Sequence, residues 1–290
     1  MSEGTPKERP AREVFADETG VADFAADERF ESGASRYADY LQTVEGRLRL
    51  DLGWLNLFEF VRQNFPSDSG RADKRRALDV GGGTGALALK LAAEGWRVDV
   101  LDSSAAMLAL ARAAARRAGH SVDVGLHEGD AGRLKEIFGT DSFDLVACHN
   151  VLEYVEDPAA VVHSVASAAR RGGLISLLAR NRAGEAMRAA VKSQDLDAAR
   201  RALTAAAVRE SLYGGPAKLF DYESLRDLAS SSGLEVLAAR GVRVVADYLP
   251  ASLSNNADDY RRLLDFEHTL GARSDFAAVA RYAQIIARRT

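Results

Sequence analysis

Arg76-Ala-Leu-Asp-Val-Gly-Gly-Gly-Thr-Gly-Ala86 decides how the rest of the chain is read. A short apolar-rich run enters a turn holding four glycines, and Ala86 to Ala93 then repeats apolar residues at helical spacing, which predicts strand, tight turn and helix. Glycines let the backbone turn with little steric penalty and bring a ligand close to a helix N-terminus whose free N–H groups favour an anion. Such a unit calls for an acidic residue at the end of its next strand. Arg97-Val-Asp-Val-Leu-Asp102 supplies it, with Asp102 placed to take the two hydroxyls of a ribose.

The spacing admits two ligands. Gly81, Gly83 and Ala86 meet the dinucleotide fingerprint G-x-G-x-x-G/A in its weaker form, whereas Asp79, Gly81, Gly83 and Gly85 meet D-x-G-x-G-x-G. The second pattern resembles motif I of the class I S-adenosylmethionine-dependent methyltransferases. That resemblance implies a cofactor site around Asp79, Gly81, Gly82, Gly83 and Gly85, continuing through Asp102, Ser103 and Met107, with S-adenosylhomocysteine as product.

Composition bounds the answer only loosely. The 290 residues are 47% apolar and 28% charged, ordinary for a globular chain, and can bury one substantial core. The sequence has no apolar run long enough to span a membrane and no basic-then-apolar leader, and we expect a cytoplasmic protein with no membrane partner. Cys148 is the single cysteine, so no internal disulfide is available and no metal site is expected. Residues 1–31 carry nine acidic and four basic side chains and read as a flexible tail, with a short helix near Val14 to Phe24. They contribute −5 to a formal net charge of −4, which leaves the body at +1 and keeps a nucleic-acid partner open.

Residues 32–290 read as a single domain. Residues 32–70 form a helical cap with Leu41, Leu48, Leu52, Leu55 and Phe58 on its apolar face, 76–179 the cofactor half, and 180–290 the acceptor side. Further strands are predicted at Val122 to His127, Asp144 to Cys148, Gly172 to Ala179, Leu234 to Val245 and Ala278 to Ala287. Helices are expected at Ser103 to Ala118, Ala159 to Arg171, Tyr222 to Ser231 and Ala257 to Leu270, and the insertion from Arg180 to about Gly215 reads as helical. The fold class is therefore α/β: a Rossmann-like seven-stranded sheet with a helical N-terminal cap and helical insertions after strands 5 and 6. The resemblance to class I methyltransferases implies that Asp130 meets the adenine amino group, and capping the helix from Ala131 is an alternative compatible with it. His149 and Asn150 stand at the carboxyl end of their strand, where open α/β sheets bind ligands, and His149 reads either as a satisfied polar residue at a strand end or as a backbone and side-chain contact to adenosine.

The run Val151-Leu-Glu-Tyr-Val-Glu-Asp-Pro158 resembles the segment that follows this strand in class I methyltransferases. Glu45-Gly-Arg-Leu-Arg49 with Trp54, Gly241-Val-Arg-Val-Val-Ala-Asp-Tyr-Leu249, Leu264-x-x-Glu267 and Arg281-Tyr282 narrow the likeness. From about Phe30 to Ala287 the chain is similar to the tRNA carboxymethoxyuridine methyltransferases, which methylate the carboxylate of that wobble base. The resemblance implies that Arg49 reaches the cofactor carboxylate and that Gly81, Gly82, Asp102, Asp130, Ala131 and His149 line the cofactor. Tyr154 stands where family members carry Trp, and Phe276 where they carry Tyr.

A carboxylate is ionised at pH 7, so an acceptor of this kind needs positioning rather than a general base. The planar fork of an arginine can grip a carboxylate bidentately, and we expect Arg243 first and Tyr248 second in that role. Tyr154, Arg180, Asn181, Arg182, Arg188, Arg281 and Tyr282 are the remaining substrate-side expectations. Ten basic against four acidic residues between 170 and 220 read either as a solvated helical face or as an RNA surface. The leading partner is tRNA. The alternatives are a small-molecule carboxylate or hydroxyl acceptor on the same scaffold, a non-enzymatic adenosine-nucleotide binder, or an NAD enzyme.

Overall fold

The computed structural model describes residues 26–65, 74–119, 122–210 and 212–290. The described chain enters through α1 (Ala26–Gln42) and α2 (Val44–Asn64), joined at Thr43, whose hydroxyl accepts from the Gly46 N–H and caps α2. An alternating series follows: β1 (Arg76–Val80), α3 (Ala86–Ala93), β2 (Arg97–Asp102), α4 (Ala105–Ala118), β3 (Asp123–Glu128), α5 (Leu134–Phe138), β4 (Phe143–His149), α6 (Pro158–Ala168) and β5 (Ala169–Arg180). After β5 come α7 (Arg182–Met187), a π-helical turn (Arg188–Lys192), α8 (Leu196–Ala202), and the strands β6 (Ala207–Glu210) and β7 (Gly215–Lys218). The chain closes with α9 (Tyr222–Ser231), β8 (Leu234–Val242), α10 (Ala257–Gly271), α11 (Ser274–Ala277) and β9 (Tyr282–Arg289).

Seven strands form one sheet in the order β3-β2-β1-β4-β5-β9-β8, parallel except for β9, which runs antiparallel to both its neighbours. Strand order reverses between β1 and β4, and that switch point opens a crevice at the strands' carboxyl ends. Helices cover both faces. Leu57, Val61, Leu87, Leu91 and Leu108 pack one side, and Leu134, Val162, Val165, Leu225 and Ala229 the other. Central strands buried on both faces need continuous apolar runs, and Phe143 to Cys148 is buried throughout. A third cluster, Leu48 and Leu52 with Tyr260, Leu263 and Tyr282, ties α2 to α10.

The structure departs from the sequence reading in several places, and β8 ends at Val242 rather than Val245. The insertion after β5 is not purely helical, because Ala207–Glu210 and Gly215–Lys218 pair antiparallel as a hairpin. The last strand starts at Tyr282 rather than Ala278, since Ser274–Ala277 forms a helical turn first. The fifth strand starts at Ala169, and the helix before it stops at Ala168. Residues 26–31, assigned to the tail, are helical and belong to α1; the rest of the tail and the expected helix from Val14 to Phe24 lie outside the described residues.

Candidate active site

The glycine turn forms the floor of the crevice. Gly81 and Gly83 have φ of +63° and +54°, and a Cβ on Gly81 would stand 2.3 Å from Val151 Cγ2. A Cβ on Gly82 would meet Asp79 Oδ2 at 2.7 Å, so the turn closes directly over that carboxylate. Asp102 receives the turn from the other side, accepting from Gly83 N at 2.8 Å and from Ser104 N at 3.0 Å. Asp79 lies beneath the turn, and its Oδ2 has no hydrogen-bond partner among the described residues. Burial first, and then the Asp102 charge, push its carboxyl up to about 7.

Above this floor α1 brings aromatic side chains that the sequence reading did not place. Phe30, Tyr37 and Tyr40 recur at helical spacing and, with Arg49 from α2, line a cavity of about 1170 Å³. Arg49 is 8% exposed, donates to the Tyr37 hydroxyl at 2.8 Å, and has no carboxylate partner among the described residues. Phe30 meets Tyr154 and Tyr213 edge-on at 5.1 and 4.8 Å, so the first helix and the β6–β7 hairpin close on each other through aromatic rings. Ser103, Met107, Asp130, Ala131, His149 and Asn150 line the same cavity. Asp130 also caps the turn at Ala131–Arg133 through Gly132 N.

A second part of the cavity is built around Tyr282. The guanidinium carbons of Arg49, Arg180 and Arg281 each lie 5.9 Å from its ring centroid, and that of Arg243 lies 5.8 Å away. Three carboxylates are interleaved among them. Glu185 pairs with Arg281, Arg180 and Arg188, Glu210 with Arg180 at 3.5 Å, and Asp247 with Arg243. Burial would raise the Glu185 carboxyl, but the Arg281, Arg180 and Arg188 charges outweigh it and hold it below the ordinary range. Burial would likewise raise the Tyr282 phenol, but Arg180, Arg243, Arg49 and Arg281 bring it down to about 8.

Arg243 lines the cavity, but its fork is not free as expected. Nε and Nη2 both donate to Asp247 Oδ1, while Nη1 donates to the Tyr40 hydroxyl at 3.0 Å and to the Glu45 carbonyl at 3.3 Å. The residue sits at φ +60°, a conformation costly for a side chain of this size. Glu267, fully buried on α10, holds the strained loop by accepting from the N–H groups of Val244, Val245 and Ala246.

Three of the expected substrate-side residues do not line the cavity. Tyr248 is half-buried in a 3-10 turn outside it. Asn181 caps α7 and donates to the carbonyls of Ala278 and Ala280. Arg182 is pinned to Asp221 at 2.6 Å and to the Ala205 carbonyl. The hydrogen bonds of Asn181 and Arg182 are spent on holding the insertion to the segment before β9 and to the N-terminus of α9. Gly82 and Gly85 shape the turn without lining the cavity.

The donor set fits S-adenosylmethionine: a glycine turn against a switch point, an acidic residue ending β2, and a buried guanidinium lacking a carboxylate. A methyltransferase-domain family model matches residues 78–175. The ubiquinone biosynthesis O-methyltransferase of Klebsiella pneumoniae is 34% identical over 180 residues, 61% of this chain and 70% of that protein. The chain belongs to the class I S-adenosylmethionine-dependent methyltransferases, and it is an enzyme of that class. Over nearly its whole length it is similar to the tRNA 5-carboxymethoxyuridine methyltransferase of Escherichia coli K12, 29% identical over 271 residues, 91% of this chain and 97% of that protein. Among solved structures, the fold matches the magnesium protoporphyrin IX methyltransferase of Synechocystis (TM-score 0.61, 14% identity, 91% of this chain and 98% of that one). It also matches a methyltransferase of Thermotoga maritima (TM-score 0.57, 17% identity, 91% and 100%). No helix among the described residues is long and apolar enough to cross a membrane.

Proposed function

We propose that the chain methylates an ionised carboxylate, that of a carboxymethoxyuridine at the wobble position of tRNA. The observation that carries this reading is the acceptor end, where four guanidiniums surround Tyr282 with three carboxylates among them. With Arg49 kept for the cofactor, Arg180, Arg188, Arg243 and Arg281 against Glu185, Glu210 and Asp247 leave one positive charge for a ligand to balance, in a setting where an uncompensated buried charge is costly. The similarity to the Escherichia coli tRNA enzyme runs through this half of the chain, whereas that to the Klebsiella O-methyltransferase covers 61% of it. When bound, S-adenosylmethionine supplies a methyl group activated by its sulfonium. The chain's own residues then have three tasks.

Asp102 takes the ribose hydroxyls, Asp130 the adenine side, and Arg49 the methionyl carboxylate. Arg180 and Arg281 face the acceptor carboxylate, while Arg243, fixed by Asp247 and Glu267, shapes the wall beside it. The aromatic contacts of Phe30, Tyr154 and Tyr213 then shut out water and leave flat faces against which an unstacked base can lie. The test is nucleoside analysis of tRNA from cells lacking the protein. The methyl ester of carboxymethoxyuridine disappears and the free acid accumulates; an unchanged nucleoside profile rejects the acceptor and leaves a small-molecule carboxylate or hydroxyl in its place.

A further inference from the structure

Two consecutive residues of α1 hold opposite walls of the crevice. Glu31 accepts from Ser104 and Ala106 at the start of α4, while Phe30 meets Tyr154, after β4, and Tyr213, in the β6–β7 hairpin, edge-on. The hairpin side is a reciprocal fit. A Cβ on Gly33 of α1 would stand 2.7 Å from Tyr213 Cδ1, and a Cβ on Gly215 of the hairpin would fall on the Arg29 guanidinium. Each element thus keeps a glycine where the other inserts a large side chain. Among the described residues, the buried apolar clusters of the core include none from α1. Its C-terminal end is anchored by polar contacts, Arg49 donating to the Tyr37 hydroxyl and Arg243 to that of Tyr40. Its N-terminal half, residues 26–36, is held chiefly by the glycine seam and by Glu31. Arg29 works against that closed position: it is 7% exposed, and its Nε and Nη1 have no hydrogen-bond partner among the described residues. An unpaired cation is costly to bury, and a segment with few apolar contacts opens at low free energy.

We propose that residues 26–36 form a strap that lifts to exchange the cofactor, seated by the two glycine notches and kept releasable by the unpaired Arg29 charge. The strap is rooted over the cofactor floor, where Tyr37 Cε1 lies 3.5 Å from the place a Cβ on Gly83 would take. From that root it bridges the N-terminus of α4 to the hairpin, and Phe30 lines the cavity beneath it. S-adenosylhomocysteine therefore leaves once Phe30 and Tyr213 part. The two contributions have opposite signs: the notches favour the closed strap, and Arg29 favours the open one. The proposal involves the cofactor alone and holds whatever the methyl acceptor is.

The test measures S-adenosylhomocysteine dissociation from the full chain by stopped flow. Gly33→Ala should speed release about tenfold, because its methyl group must push Tyr213 aside, even though alanine is the better helix former. Gly215→Ala should do the same by displacing Arg29. Arg29→Met keeps most of the stem and removes the charge, and should slow release. All three should melt near the wild-type temperature, since α1 adds nothing to the core clusters. Hydrogen exchange of the unsubstituted protein is the second arm and depends on no variant folding. Without ligand the amides of residues 26–36 should exchange well before those of α2, whose Leu48, Leu52, Leu57 and Val61 are in the core, and S-adenosylhomocysteine should slow them. Wild-type release rates in both glycine variants, release no slower in Arg29→Met, or a strap as protected as α2 without ligand overturns the proposal.

Discussion

Glu31 Oε2 on α1 accepts from Ser104 Oγ at 2.8 Å and from Ala106 N at 3.1 Å, so the first helix is latched to the N-terminus of α4 beside Asp102. A carboxylate at a helix N-terminus is favoured by the free N–H groups there, and the Ser104 and Ala106 bonds lower its pKa. The latch closes over the crevice beside Asp102, to which we assign the ribose hydroxyls. Glu31→Ala should therefore speed dissociation of S-adenosylhomocysteine while the ligand-free melting temperature stays nearly unchanged, because Glu31 is exposed. Stopped-flow fluorescence measures the first and calorimetry the second. A large loss of ligand-free stability with unaltered release would make the contact purely structural.

Arg49 is the converse case, a buried cation whose neighbours are phenols rather than carboxylates. Burial opposes its charge, but Tyr37, Tyr40, Tyr282 and Tyr213 keep it protonated, so it waits for an anion at a standing desolvation cost. Arg49→Met keeps the volume and removes the charge. Cofactor affinity should fall by roughly 1.5–3 kcal/mol, the range for a hydrogen bond to a charged group. The melting temperature without ligand should hold or rise. Titration calorimetry with S-adenosylhomocysteine checks the first, and a variant with undiminished affinity removes Arg49 from the cofactor site.

The glycine turn and Asp102 were legible because their signals are local: a strand, four glycines and a second strand lie within 27 residues and need no partner to be recognised. The acceptor end was only half legible. Arg180, Arg188, Arg281 and Tyr282 were placed there, but the carboxylates that occupy them were not, since Glu185, Glu210 and Asp247 meet the arginines only once α7, the hairpin and the loop after β8 are folded together. Arg182 and Arg180 are two residues apart, and one turns outward to Asp221 while the other points into the cavity. The hairpin escaped because Ala207-Val-Arg-Glu210 and Gly215-Pro-Ala-Lys218 carry little apolar alternation. Lys218 holds it instead, with its backbone N–H on the Glu153 carbonyl and its ammonium on that of Val155.

Tyr282 gives a pH signature. Its phenol is depressed to about 8 in the fold, against about 10 in an unfolded chain. A depressed acid adds stability that is present above the unfolded value and is lost as pH falls through the folded one. Wild type should therefore gain stability over Tyr282→Phe as pH rises from about 8 to about 10. Ultraviolet difference titration should also show one tyrosine ionising early and missing from the variant. If all tyrosines ionise together near the ordinary value, the four guanidiniums are not acting on this ring.

Reversing Arg180 or Arg182 would not test RNA binding. Arg180 is 8% exposed between Glu185 and Glu210, so a glutamate there would bury a third carboxylate, and Arg182 pins the insertion to Asp221. The informative pair is Arg188 and Lys192, which bound the π-helical turn, line the cavity and have partly exposed side chains, 38% and 46% accessible. Their ion pairs with Glu185 at 3.4 Å and Glu45 at 3.9 Å are partly solvated and weak enough for phosphates to replace. Removing one cation that neutralises a phosphate should take roughly 0.7 from the log–log salt slope for a single-stranded loop. Arg188→Glu with Lys192→Glu should thus weaken tRNA binding at low salt and flatten its salt dependence. S-adenosylhomocysteine affinity should stay unchanged, because neither residue approaches the glycine turn. Filter binding across a salt series measures the slope. A double variant with the wild-type slope would move the tRNA path away from this insertion and leave the charge there as a solvated face.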